Sequence, residues 1–138
     1  KTVWVPLNFD IQTEDGPENI SFEVEYDRVS PAIARKRVIE MTRLQAEIKL
    51  IYKDIENIDS VEEIDKIEER LTKLLTRREE KITKNVKNWR GYTGTDGKNV
   101  KFSKDNLAAM LGHEVYFENF EDGLNRAGGL AAEEKEKN

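Results

Sequence analysis

The sequence predicts an α+β fold that is mainly helical, and two patterns support this prediction. Near the amino terminus, apolar and polar residues alternate, which is typical of strands with one buried face. Further along, apolar residues recur at spacings of three and four, which is typical of amphipathic helices. We therefore expect an N-terminal β-hairpin, a long antiparallel αα-hairpin, a glycine-rich turn with two short helices, and a flexible C-terminal tail.

The β-hairpin is predicted over residues 1–29. Apolar side chains alternate with polar ones over residues 2–9 and again over residues 20–29. The polar segment between them contains an Asp-Gly-Pro run that favours a turn, and we expect a long, mobile loop over residues 10–19. Pro6 has no N–H to donate to a neighbouring strand, so the first strand should lie at an edge of the sheet or end early.

The αα-hairpin is predicted over residues 30–90. Ser30 followed by proline is a typical helix start, and the apolar spacing carries this helix to about Asn57. A second start follows at Ser60, where Ser-Val-Glu-Glu forms a capping box. The apolar positions of the second helix continue to Trp89, so we expect Trp89 to lie at the end of this helix.

The two ends of this hairpin carry opposite charge. Eight acids and one base lie from Asp54 to Glu69, around the tip of the hairpin. Eight bases and two acids lie from Arg70 to Arg90, towards its open end. Acids that lead a helix and bases that trail it also suit the helix dipole. We expect acids of the second strand, acids of residues 114–122, or an acidic partner to cover the positive end.

Residues 91–130 predict a turn followed by two short helices. Glycines interrupt regular structure at the start of this segment. Ser103 then has the position of a helix N-cap, and Phe102 can pack against Leu107 as a hydrophobic staple. This helix should end at Gly112.

A last short helix is predicted from Glu114 to about Arg126, before a pair of glycines. Residues 131–138 are too polar and too small to fold alone, so we expect a disordered tail there. Residues 1–130 then form a single domain.

Composition excludes several classes of function. The chain has no cysteine, which rules out disulfides, thiolate nucleophiles and Cys-ligated zinc. Its one histidine, His113, has no second nitrogen or sulfur ligand in view, and its carboxylates lie in runs typical of solvated helix faces. We therefore expect no catalytic residue, no metal and no cofactor. The net charge of -5 argues against nucleic acid, and no apolar run approaches the roughly 20 residues of a membrane span.

Three aromatic residues, Trp89, Tyr92 and Phe102, surround the glycine-rich turn. Large rings at this position can close the core at the open end of the hairpin. They can also form a groove that anchors an amphipathic partner helix, because rigid aromatic side chains dominate many interface energies. The sequence leaves both interpretations open.

Residues 86–111 resemble the C-terminal signature of tail assembly chaperones of long-tailed, siphovirus-type bacteriophages. The shared pattern is Trp-x-Gly, a glycine-bearing turn, a Phe-Ser pair and an Asn-Leu pair, in this order. The matching positions are Trp89, Gly91, Asp96, Gly97, Phe102, Ser103, Asn106 and Leu107. Lys101 stands where we would expect proline. The N-terminal half is similar to the family as well, with a strand around VWVPLN and a polar loop before the first long helix.

The resemblance implies a non-enzymatic protein that binds the tape measure protein and keeps it soluble while the tail tube polymerises. Such a protein acts in the cytoplasm of the infected bacterial host and is absent from the mature virion. The resemblance also implies a longer form, made by ribosomal frameshifting, that recruits the tail tube protein. The alternative is a structural virion protein of the phage neck or tail, of the tail-completion type.

Two sets of residues are candidates for these interactions. The candidates for binding a partner surround the glycine-rich turn: Trp89, Gly91, Tyr92, Asp96, Gly97, Phe102 and Leu107. We also expect a homo-oligomer, formed through the seam of the αα-hairpin or by addition of the first strand to a neighbour's sheet edge. The candidates for self-association are Val3, Val5, Leu44, Ile48, Ile51, Leu71 and Leu74.

Overall fold

The computed structural model of this chain describes residues 1–94 and 96–129. Its elements in chain order are β1 (Thr2–Thr13), β2 (Gly16–Asp27), α1 (Pro31–Ile55), α2 (Val61–Thr83), β3 (Val86–Arg90), α3 (Lys104–Leu111) and α4 (Glu114–Ala127). The prediction of a mainly helical α+β fold is confirmed. The predicted disordered tail, residues 131–138, lies outside the described residues.

β1 and β2 form a long antiparallel hairpin whose turn is tight. Thr13 pairs with Gly16, so the prediction of a long loop over residues 10–19 is wrong. The strands continue through this segment because Ile11 extends the apolar alternation and packs against the core. Gly16 has a φ of 108°, which favours glycine, and the Thr13 hydroxyl donates to its carbonyl at 2.7 Å. β1 is an edge strand, as Pro6 predicts.

β3 is a strand that the sequence analysis did not predict. α2 ends at Thr83, so the expectation that Trp89 lies in this helix is wrong. Val86 and Trp89 are both buried, and side chains three residues apart normally point to opposite faces of a strand. A register shift opposite Tyr26 leaves Lys87 as an extra residue and restores both apolar side chains to the core face. Because of this bulge, the buried apolar residues of the strand lie three positions apart, which is also a spacing typical of helices.

α1 and α2 form the predicted antiparallel hairpin. The hydroxyl of Ser30 accepts from the backbone N–H of Ile33, and the hydroxyl of Ser60 accepts from that of Glu63, so both predicted caps are confirmed. A separate apolar cluster, the seam, joins the distal parts of the two helices. Its buried members are Leu44, Ile48, Ile51 and Leu74, with Ile67, Leu71 and Leu75 partly buried beside them.

The main core lies between the sheet and α4, with side chains from α3 and the open end of the hairpin completing it. The Tyr26 hydroxyl donates to the backbone carbonyl of Phe120 at 2.8 Å and so joins the sheet to α4. The seam is not part of this core. The distal part of the hairpin, residues 44–75, is therefore an extension with its own small apolar cluster, and we call it the arm.

Candidate interaction site

The aromatic residues around the glycine-rich turn belong to the core. Trp89 is only 4% exposed, and its indole N–H donates to the Val100 carbonyl at 2.8 Å. Its ring centroid lies 5.0 Å from that of Phe102 and 6.0 Å from that of Tyr92, with the rings near perpendicular. Edge-to-face packing of this kind stabilises a core. Of the two interpretations that the sequence left open, the structure supports core closure for Trp89.

Tyr92 and Phe102 are half-buried, and Tyr92 continues the aromatic layer towards α4. The hydroxyls of Tyr92 and Tyr116 lie 3.2 Å apart, and burial together with this hydrogen bond raises the pKa of Tyr116. His113 contacts the same layer, with its ring centroid 5.4 Å from that of Tyr116. Residues 1–94 and 96–129 contain no group of His, Cys, Asp and Glu side chains arranged to hold a metal ion.

The glycine-rich segment forms a tight turn. Gly91 and Gly97 have φ values of 78° and 77°, which favour glycine. The Asp96 carboxylate accepts from the backbone N–H of Lys98 at 3.0 Å and so closes the turn. Leu107 is fully buried behind it. Gly91, Asp96 and Gly97 are exposed, so their contact with a partner stays a prediction.

The residues predicted to mediate self-association pack within one chain. Those of the sheet and of the hairpin seam are buried or half-buried: Val3, Val5, Leu44, Ile48, Ile51, Leu71 and Leu74. Their apolar area is therefore largely used by the fold itself. Self-association stays a prediction, and any interface needs apolar surface from other residues.

The edge of β1 has two features that oppose addition of another strand. Pro6 lacks an N–H, and its carbonyl accepts a hydrogen bond from Arg126 Nη2 at 2.8 Å. The middle of the edge is thus covered by a side chain from α4. An oligomer formed through this edge would have to displace Arg126.

Four bases towards the open end of the hairpin pair with acids of the same chain. The acids of β2 and Glu114 at the start of α4 were predicted for this role, whereas Glu40 of α1 was not. The ion pairs are Arg78–Glu114 at 2.6 Å, Lys81–Glu40 at 2.6 Å, Arg90–Glu23 at 2.9 Å and Lys87–Asp27 at 3.5 Å. The hydrogen bond from Arg90 lowers the pKa of Glu23, and the hydrogen bond from Lys81 lowers the pKa of Glu40.

A cleft of about 380 Å³ lies between α1, α2 and α4. Val38, Met41 and Leu124 contribute apolar lining, and the Lys81–Glu40 pair lies at its wall. Burial raises the pKa of Glu121, which also lines the cleft. The described lining residues include no Ser, Cys or Lys next to a free base, so the geometry of this cleft assigns no reaction to it.

The sequence analysis missed the exposed apolar side chains at the tip of the arm. Those side chains, which we call the tip surface, are Tyr52, Ile55, Val61 and Ile64. Val61 is 74% exposed and Ile64 is 45% exposed. Ile55 and Ile64 continue the helical spacing of the seam, but they are exposed and lie outside its apolar cluster. The sequence signal was the position of these residues next to the break between the two helices, where neither helix has a further turn to pack against.

Comparison with protein-family models, with curated proteins and with solved structures found no match to this chain. Among the described helices, none is both long enough and apolar enough to cross a membrane. The geometry defines an α+β domain that carries a helical arm with an apolar, acidic tip.

Proposed function

We propose that this chain is a tail assembly chaperone of a long-tailed bacteriophage. It binds the tape measure protein and keeps it soluble while the tail tube assembles, and it performs no catalysis. The resemblance over residues 86–111 supports the family, and the exposed tip surface of the arm is the observation that supports a binding role. The chain acts in the host cytoplasm and leaves before the virion is complete, and a longer frameshifted form recruits the tube protein.

The physical requirement for such a chaperone is specific. A long amphipathic helix exposes an apolar stripe much larger than the few hundred Å² that a soluble monomer tolerates. A protein that covers the stripe needs exposed apolar side chains of its own, and it needs surrounding charge to remain soluble when free. The tip surface meets both requirements, because Tyr52, Ile55, Val61 and Ile64 lie within the run of eight acids and one base or just before it.

Co-expression tests this proposal directly. The tape measure protein encoded near this chain would be expressed alone, with this chain, and with an unrelated acidic helical protein. We expect the soluble fraction of the tape measure protein to rise only with this chain. An equally insoluble tape measure protein in all three cultures would contradict the proposal.

The fate of the protein during assembly provides a second test. A chaperone leaves the particle, whereas a neck or tail-completion subunit remains in it. We expect mass spectrometry of purified virions to detect the tube and tape measure proteins but not this chain. Stoichiometric amounts in the virion would favour the structural alternative.

We also propose that the free chain is a homo-oligomer. The apolar fraction of 37% is low for a chain of this length, so another subunit can complete the apolar contacts that one chain leaves open. Light scattering at tens of micromolar protein should give a mass above the 16.0 kDa of one chain. A mass of one protomer at this concentration would contradict self-association.

A further inference from the structure

The tip surface comprises residues of both helices of the arm, on either side of the break between them. Tyr52 and Ile55 lie in the last turn of α1, and Val61 and Ile64 lie in the first turn of α2. All four side chains are among the most exposed large apolar residues of the described chain. A pair of helix ends with apolar side chains on both can hold the apolar stripe of a third helix.

The charge around the tip surface is negative. Eight acids and two bases, Lys53 and Lys66, lie from Tyr52 to Glu69. Across residues 1–94 and 96–129, Glu69 is the one acid of this stretch that forms an ion pair, with the exposed Lys73 at 3.4 Å. Asp65 lies four residues after Val61 and Glu68 lies four residues after Ile64, so these acids border the apolar side chains on the helix surface.

The opposite end of the hairpin has a different arrangement. Four of its bases pair with acids of β2, α1 and α4, so the fold supplies counter-charges there. At the tip, the described residues supply almost none. Among the described residues the tip lacks paired counter-charges apart from Lys73, and an apolar surface with a negative border favours an apolar surface with a positive border.

We propose that the tip surface of the arm binds an amphipathic helix of the partner protein whose polar face is rich in Lys and Arg. This inference deepens the proposed function and relies on it for the identity of the partner. The apolar stripe of the helix packs on the tip surface, and its bases face Asp65, Glu68 and neighbouring acids. The apolar contact supplies most of the affinity, while the charges speed association and select the partner.

A second copy of this chain is the other occupant to consider. Four bases towards its open end, Arg78, Lys81, Lys87 and Arg90, are already paired within the chain, and these ion pairs would have to break for those bases to serve as the positive partner. A separate basic helix requires no such exchange. The charge arrangement therefore favours a partner other than a second copy.

The probe for the test is a synthetic amphipathic helical peptide with a Leu stripe and Lys or Arg on its polar face. A matched peptide keeps the Leu stripe and carries Glu in place of the bases. Fluorescence anisotropy with the full chain measures both affinities. We expect the basic peptide to bind at least about tenfold more tightly than the acidic one, with an affinity that falls as salt is added.

Variants of the full chain locate the site. V61S/I64S removes two exposed side chains of the tip surface, and I39S/L50S removes two exposed side chains elsewhere on α1. Because all four positions are exposed, circular dichroism should show both variants folded. We expect V61S/I64S to weaken binding of the basic peptide about tenfold or more, and I39S/L50S to change it less than about twofold. D65N/E68Q should weaken binding and reduce its dependence on salt.

Three results of the peptide experiment would overturn the inference. The first is equal affinity for the acidic and the basic peptide. The second is an unchanged affinity of V61S/I64S for the basic peptide. The third is a larger loss of affinity in I39S/L50S than in V61S/I64S, which would place the contact elsewhere on α1. Loss of the peptide-free oligomer in V61S/I64S would place a second copy on the tip surface and would also overturn the inference.

The inference and the proposed function can fail separately. If co-expression with V61S/I64S solubilises the tape measure protein as well as the wild type does, the chaperone function stands and the tip inference fails. If the wild type does not solubilise the tape measure protein but its tip binds the basic peptide, the proposed function fails and the binding site stands.

Discussion

The guanidinium carbon of Arg78 lies 3.7 Å from the ring centroid of Phe117. Arg78 also donates to the Glu114 carboxylate at 2.6 Å, so one side chain of α2 holds two residues of α4. Its Nε is buried and makes no hydrogen bond within the described residues. Arg78 lies just beyond the arm, where the hairpin meets the main core, and it joins α2 to α4 at this junction.

Replacing Arg78 should therefore destabilise the fold. Arg78→Ala removes the stacking on Phe117, the bond to Glu114 and the packing of the alkyl chain. We expect the free energy of unfolding to fall by about 2–3 kcal/mol. Urea unfolding followed by circular dichroism measures the change.

The neighbouring Arg77 is the matched control for this prediction, because it is exposed on the same helix. Arg77→Ala should change the free energy of unfolding by no more than about 0.5 kcal/mol. Equal stabilities of the two variants would show that the contacts of Arg78 contribute nothing to the junction.

Gly123 permits the close approach of α4 to the sheet. A Cβ at this position would lie 2.3 Å from the Tyr26 hydroxyl oxygen and 2.9 Å from Leu7 Cδ2. In an open helix, alanine is more favourable than glycine by about 1 kcal/mol. Here we expect Gly123→Ala to destabilise the protein by about 2 kcal/mol, because the core must shift to admit a methyl group. Thermal and urea unfolding measure the change.

Two controls test this explanation. Gly112→Ala places a Cβ no closer than 3.5 Å to another atom, so its effect should stay within about 0.5 kcal/mol. In a Tyr26→Phe background the hydroxyl is absent, and Gly123→Ala should then cost less than it does in the wild type. An equal cost in both backgrounds would show that the Tyr26 hydroxyl is not the obstacle.

The two tryptophans should differ in their effect on stability. Trp89 is buried among aromatic rings, whereas Trp4 is half-buried and lies over Arg90, with 4.0 Å between the guanidinium carbon and the ring centroid. We expect Trp89→Ala to lower the free energy of unfolding by about 3–5 kcal/mol and Trp4→Ala to lower it by about 1 kcal/mol. Urea unfolding of both variants measures the difference.

This pair of variants also tests the aromatic groove. If Trp89 serves the core, loss of partner binding in Trp89→Ala should follow loss of folded protein. A Trp89→Ala variant that unfolds at the wild-type urea concentration but no longer binds a partner would restore the groove interpretation.

The helix starts could be predicted from the sequence because their determinants are local. Ser30, Ser60 and Ser103 each accept a hydrogen bond from the backbone N–H three residues later. β3 could not be predicted in the same way. Its apolar spacing results from a bulge opposite β2, more than 50 residues away in the chain, and no local pattern distinguishes it from a helix end.

The candidate site shows the same limit. Apolar spacing predicts which face of α1 and α2 is apolar, but not how far each helix is covered by its neighbour. Trp89, a candidate for contact with a partner, is buried, whereas Val61, at the start of the same helical apolar pattern, is exposed. Burial depends on tertiary packing, so residues of one amphipathic stripe can have opposite roles.

Two glutamates should respond to pH with opposite sign. Burial raises the pKa of Glu121, so the folded state holds its proton more tightly than the unfolded state does. The stability that this proton provides is lost as pH rises from the unfolded value of about 4.3 through the raised folded value. Glu121→Gln should therefore melt at a higher temperature than the wild type at pH 7, and the difference should shrink towards pH 4.

Glu40 is the counterpart, because the hydrogen bond from Lys81 lowers its pKa. Its contribution is present above the unfolded value of about 4.3 and is lost as pH falls through the lowered folded value. Glu40→Gln should melt below the wild type at pH 7, and the difference should shrink in acid. Melting temperatures from about pH 2 to about pH 8 measure both effects. Shifts of the same sign at pH 7 would contradict the assignment, because burial opposes the charge of Glu121 while Lys81 stabilises the charge of Glu40.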